Sequence, residues 1–209
     1  MNQCQMIGRQ LLMVGIQGRE LPAGYKKCNW ISGDGTGKPR LNTGIQADFN
    51  AEIRATIKFK LVGAGYASVI SHENDKFWYA FHPNHAPGFS YAGWGTGDYR
   101  LSDNEFGEPV NIVLSKEGVT INDTSVVKFN NQVSFSGGNV AFIGSYNNPA
   151  SSDCYFYGAE YWLNGECISK LLPCLREADG VAGAYDVVRG LFISDSRGDG
   201  FEYELEGTE

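Results

Sequence analysis

The densest run of chemistry-bearing side chains lies between residues 77 and 99. There Phe77, Trp78, Tyr79, Phe81, Phe89, Tyr91, Trp94 and Tyr99 are interleaved with His82, Asn84, His85 and Asp98. A flat aromatic ring stacks on the apolar face of a sugar while Asn, Asp and His side chains hydrogen-bond its hydroxyls, so this mixture points to a saccharide site. Alternation assigns part of the set to a core, because Phe77, Tyr79 and Phe81 share one face of a single extended run. The expected ligand contacts are therefore Trp78, His82, Asn84, Tyr91, Trp94 and Tyr99, with Trp94 carried on the loop Gly93-Trp94-Gly95-Thr96-Gly97. Exposed aromatic rings equally mark subunit interfaces, and that alternative stays open.

Other chemistries find less support. Hydrolysis of a glycosidic bond needs two carboxylates facing one cleft, and the alternating pattern Glu-x-Asp-x-x-Glu does not occur. The nearest runs are Asp103-Asn104-Glu105-Phe106-Gly107-Glu108, of loop composition, and Glu202-Tyr203-Glu204-Leu205-Glu206, which puts three carboxylates on one strand face. Charge on an edge strand keeps other strands from pairing with it, so no catalytic residue is assigned and a glycanase is the third reading. Gly33-Asp34-Gly35-Thr36-Gly37-Lys38 lacks the spacing of a phosphate loop, since Pro39 stands where Ser or Thr is required. Arg197-Gly198-Asp199 falls in a Gly-rich turn, where such tripeptides are common by chance. His72, His82 and His85 converge on a metal only if a helix carries them, so they are expected as surface-loop histidines. No cofactor is expected. Asp98, Asp103, Asp195 and Asp199 are retained as the calcium option near one rim.

These residues need strands to position them. With 27 glycines, 13% aromatic residues and recurrent Val, Ile, Thr, Tyr and Phe, the 209-residue chain reads as short strands joined by tight turns. The clearest is Glu52–Lys60, where Ile53, Ala55, Ile57 and Phe59 share a face. Others are expected at 26–31, 41–45, 69–71, 77–81, 89–91, 110–115, 119–121, 125–129, 140–144, 155–163, 166–173, 182–186, 191–194 and 201–205. No long amphipathic helix separates them, which excludes βαβ units and favours a two-sheet antiparallel sandwich. Residues 1–20 form a tail with Met6, Ile7, Leu11, Leu12, Val14 and Ile16, and residues 21–209 form the domain. The tail is expected to anchor the domain on another protein or on sister subunits.

A net charge of −7 supplies no basic field for nucleic acid. The apolar run Leu11–Ile16 is too short for a membrane span or a signal-peptide core. The expected route out of the cell is assembly into a virion released at lysis, with a bacterial cell surface as the alternative. The cysteines Cys4, Cys28, Cys154, Cys167 and Cys174 are odd in number and show no zinc spacing, so they are expected as free thiols, with a Cys167–Cys174 bridge left open.

Several segments carry a likeness. Leu21-Pro22-Ala23-Gly24-Tyr25, Asn164-Gly165, Leu171-Leu172-Pro173-Cys174, Asp179-Gly180-Val181-Ala182-Gly183-Ala184-Tyr185-Asp186 and Leu191-Phe192 follow one another across the chain. This resembles the LamG-like, concanavalin A-like jelly-roll domains of phage and gut-bacterial surface proteins, over roughly residues 21–205. Those domains often carry Arg-Asp where Ser169-Lys170 stand here. The resemblance implies a jelly roll and a place among virion fibre, tail or capsid proteins, with the sandwich either binding host glycan or purely decorating the particle. A homo-oligomer, favoured as a trimer, is the expected assembly.

Overall fold

Alternation at period two runs through nearly every extended segment, and a chain so patterned buries one face of each strand. The structure, a computed structural model, describes residues 20–33, 39–60, 67–82, 89–95, 99–101, 108–130, 132–144 and 154–207. Among these, the strands in chain order are Tyr25–Ser32 (β1), Leu41–Asp48 (β2), Ala51–Phe59 (β3), Ala67–His72 (β4), Phe77–His82 (β5), Phe89–Trp94 (β6), Tyr99–Leu101 (β7) and Val110–Ser115 (β8). They continue with Gly118–Ile121 (β9), Thr124–Lys128 (β10), Ser136–Phe142 (β11), Cys154–Leu163 (β12), Glu166–Arg176 (β13), Val181–Asp186 (β14), Leu191–Ser194 (β15) and Glu202–Leu205 (β16).

The strands form two antiparallel sheets. The larger runs β10-β9-β8-β3-β12-β1-β13-β14-β15, with β16 paired to β1, and the smaller runs β2-β11-β4-β5-β6-β7. The expected hairpin at Asn164-Gly165 joins β12 to β13, with φ of 52° and 82° at its two central residues. Both values lie in the left-handed region that Asn and Gly tolerate best. Further along, β1 pairs with both arms of the hairpin, through Ile31 opposite Phe156 and Lys27 opposite Cys174.

The core lies between the sheets. Ile53, Ile57, Ile112, Leu114, Phe156 and Tyr161 of the larger sheet meet Leu41, Ile70, Phe77, Tyr79, Trp94 and Phe142 of the smaller. Ring pairs Phe59–Tyr79 and Phe142–Phe156 cross the interface, with centroids 6.1 and 5.6 Å apart. Tyr161 adds a polar tie, its hydroxyl accepting from the Asp48 backbone N–H at 2.9 Å.

A second tie is charged. Asp186, wholly buried at the end of β14, accepts from Ser169 Oγ, the backbone N–H groups of Lys170, Val188 and Arg189, and Arg189 Nε at 2.6 Å. Arg189 also donates to Thr43 O of β2 at 2.8 Å, so one buried ion pair spans both sheets. Burial alone raises a carboxyl pKa, but the hydrogen bonds from Ser169 and Arg189 outweigh it and hold Asp186 below its usual value.

Two expectations change. Strand β6 continues through Gly93 to Trp94 instead of ending at Tyr91. Strand β11 begins at Ser136, hidden in the sequence by Gly137 and Gly138 at φ of 74° and 80°. Cys28, Cys154, Cys167 and Cys174 are free thiols. Cys167 and Cys174 lie seven residues apart on the one strand β13, roughly 23 Å at a strand's rise, beyond any disulfide. Burial pushes the Cys28 thiol up to about 11 and the Cys174 thiol up to about 12, which leaves both uncharged and unreactive near neutrality.

Candidate ligand-binding faces

In β5 the alternation turns Phe77 and Tyr79 into the core and Trp78 and Ala80 away from it. The register sets Trp78 between Ser71 of β4 and Gly93 of β6, and Ala80 between Ser68 and position 91. Ser68, Ser71, Ala80 and Ala141, on the Trp78 side of the smaller sheet, are buried although they face away from the core. Trp78 retains partial exposure on this side. Its indole Nε1 is buried and finds no hydrogen-bond acceptor among the described residues. An unmatched buried donor costs about 1–3 kcal/mol, a cost that an acceptor brought by a ligand removes.

The other expected contacts divide. Trp94 is 0% exposed, lies 4.9 Å from the Phe77 ring and donates from Nε1 to Phe49 O at 3.1 Å. Its assignment as a sugar contact is corrected: the strand runs on through Gly93, and the alternation from Ala92 turns Trp94 inward. Tyr99 both donates to Asn130 O and accepts from Asn130 N–H, each at 2.9 Å, and packs on Phe129. Its hydroxyl is committed to holding that segment. Positions 82 and 91 fall on the Trp78 side of the sheet by register, but the side chains of His82 and Tyr91, and Asn84 and His85 altogether, lie outside the described residues.

The remaining calls resolve as follows. Glu202, Glu204 and Glu206 do share a face, and each is tied to β1 or β3: Glu202 to Ser32 and Lys60, Glu204 to Asn29 and Trp30, Glu206 to Lys27. Asp195 accepts from the backbone N–H groups of Arg40, Arg197, Asp199 and Gly200, so its carboxylate shapes its own loop. Asp98 and Asp103 lie outside the described residues.

His72 is corrected from a loop histidine to a buried one at the end of β4. Its Nδ1 accepts from the backbone N–H groups of Asn74 and Lys76, so Nε2 carries the proton and donates to Gly137 O at 2.8 Å. The neutral ring is thus built into the β4–β5 turn. Burial lowers its pKa below the ordinary 6.5, opposed in part by the Gly137 bond and the nearby charges of Glu73 and Asp75. The unfolded chain then binds a proton first as pH falls, so stability present at pH 7 declines progressively below about 6.5. Urea unfolding at pH 7 and pH 5 should show this loss, and His72→Gln should reduce the difference between the two.

Residues on the larger sheet escaped the sequence reading. Trp162 donates from Nε1 to Glu160 Oε2 at 2.8 Å, and Arg54, paired to Glu52, lies 4.5 Å over the Trp162 ring. Tyr25 gathers with Tyr185 and Phe192, with centroids 4.8 and 5.5 Å away, and Arg176 covers Phe192. The first group was detectable from parity in β12, where Glu160 and Trp162 alternate with core residues; the second joins strands distant in sequence.

The two sheets and their connections define an antiparallel jelly-roll sandwich. The heptameric SAP-like pentraxin from Limulus polyphemus shares it, superposing with a TM-score of 0.56 over 87% of this chain and 96% of its own at 12% identity. That likeness is one of fold. No protein-family model matches the chain, and neither does any curated protein sequence.

Proposed function

We propose that this chain is a noncatalytic phage virion module, a fibre, tail or capsid appendage of the LamG-like, concanavalin A-like kind, that binds host-surface glycan. The observation that carries the reading is Trp78: a partly exposed ring on the outward side of the smaller sheet, between Ser71 and Gly93, with an indole N–H that lacks an acceptor among the described residues. A sugar hydroxyl or ring oxygen supplies that acceptor while the ring supplies apolar contact. The convergence of Tyr25, Tyr185 and Phe192 supports the family resemblance, since all three lie in the segments that carry it. Residues 1–20 tether the domain to other virion proteins on the outside of the particle. The pentraxin of like fold is heptameric, and here a symmetric homo-oligomer, favoured as a trimer, raises weak single-site affinity through multivalency. Deleting residues 1–20 tests the division of labour. Incorporation into particles should fail while binding to a glycan array persists, and loss of array binding by the folded deletion variant would contradict it.

A further inference from the structure

The turn between β4 and β5 is closed by hydrogen bonds that converge on one neutral imidazole. His72 is 1% exposed, and its Nδ1 accepts from the backbone N–H groups of Asn74 at 3.1 Å and Lys76 at 3.3 Å. Its Nε2 donates to Gly137 O of β11 at 2.8 Å. Around the ring the turn is tied to its neighbours. Glu73 N–H donates to Asn139 O, Glu73 Oε2 accepts from Asn139 N–H and Nδ2, and Lys76 O accepts from Gly95 N–H. Strand β11 closes on the ring because Gly137 and Gly138 both take left-handed φ, and a Cβ at Gly138 would lie 2.6 Å from His72 Nε2.

A proton on Nδ1 reverses this arrangement. The atom becomes a donor that faces two backbone donors, in a site closed to solvent. Among the described residues the charged groups facing the ring are Glu73, Asp75 and Lys76, all of its own turn. From the other elements, β11 brings the Gly137 and Gly138 backbone, and the rings of Phe77 and Phe135 pack with centroids 5.0 and 5.8 Å away. Burial lowers the His72 pKa by more than the Gly137 bond, Glu73 and Asp75 raise it, which keeps the closed turn neutral. In an opened turn the ring returns to its ordinary value of about 6.5. Acid therefore favours opening: below about pH 6.5 each pH unit shifts the balance toward the open turn by up to about tenfold, until the pKa of the closed form is passed. The opening is local, since residues 73–76 are exposed whereas Ile70, Phe77 and Tyr79 on either side belong to the core.

We propose that the β4–β5 turn is an acid-operated latch: protonation of His72 frees residues 73–76 from β11 while the sandwich stays folded. Ser71, the residue before His72, pairs with Trp78, so the latch adjoins the outward face of the glycan reading without depending on it. Amide hydrogen exchange of the full chain, followed by NMR between pH 7.5 and 5.0 and corrected for intrinsic rates, tests it, with the His72 ring titrated in parallel through its nitrogen shifts. Protection of the Asn74 and Lys76 amides should fall by at least about tenfold as the ring titrates. At pH 5.0 these amides should exchange roughly a hundredfold or more faster than core amides of β3 and β12. In His72→Gln, whose amide accepts and donates without titrating, the two amides should show no such response. Titration of the ring without loss at the two amides, exchange of turn and core at one common rate, or the same acid response in a folded His72→Gln protein would overturn the proposal. If that variant does not fold, the wild-type protein decides alone, because the ring titration and the core amides are its own controls.

Discussion

Asp186→Asn should lower the unfolding free energy by about 3–5 kcal/mol, the cost typical of breaking one half of a buried ion pair. Asn keeps the size and one acceptor oxygen but removes the charge that faces Arg189 Nε at 2.6 Å. The guanidinium is then left three-quarters buried without its counterion, and the arm that reaches Thr43 O across the sandwich loses its fixed end. Urea unfolding at pH 7 measures the effect, and a loss below about 1 kcal/mol would mean that the backbone bonds to Asp186 suffice without the charge. The same carboxylate sets an acid limit. Its folded pKa lies below the unfolded value, so its stabilisation is present above about pH 4 and disappears as pH falls through the folded value. That window lies below the one governed by His72, and the two should appear as separate slopes in stability against pH.

Trp94→Ala should cost about 3–5 kcal/mol, as removal of a large core ring does. The ring is fully buried, stacks on Phe77, touches Phe135 and holds Phe49 O through its N–H. Part of the loss is the cavity; the remainder is the orphaned Phe49 carbonyl. A thermal midpoint close to wild type would contradict this placement. The variant is therefore a poor probe of ligand binding, because any binding it loses comes with the fold. Trp78→Ala is the informative change, since Trp78 faces away from the core.

Much of the architecture was legible because strands print their burial as parity. Ile53, Ala55, Ile57 and Phe59 alternate with charged or hydroxyl residues and do line the core, and Asn164-Gly165 does form the two-residue turn. Glycine misled where it serves packing instead of turning. Gly93 stands in mid-strand opposite Trp78, so a segment of loop composition is extended and its tryptophan is core. His72 was illegible for another reason: it opens a polar run, and its acceptance of two backbone N–H groups leaves no trace in composition. Ser169 and Arg189 bind the same carboxylate, Asp186, a contact visible only once β13 and β14 are paired. Within the candidate site, parity separated Trp78 from its inward neighbours.

The central proposal is that the chain binds host-surface glycan through the outward face around Trp78, and a glycan array probed with wild-type and Trp78→Ala protein tests it most directly. Circular dichroism and thermal midpoints of the two should agree, because the ring faces away from the core. The account predicts selective binding by the wild type that weakens at least tenfold in the variant, the effect of losing about 1.4 kcal/mol of contact. A blank array from folded wild-type protein, or equal binding by both, would contradict it.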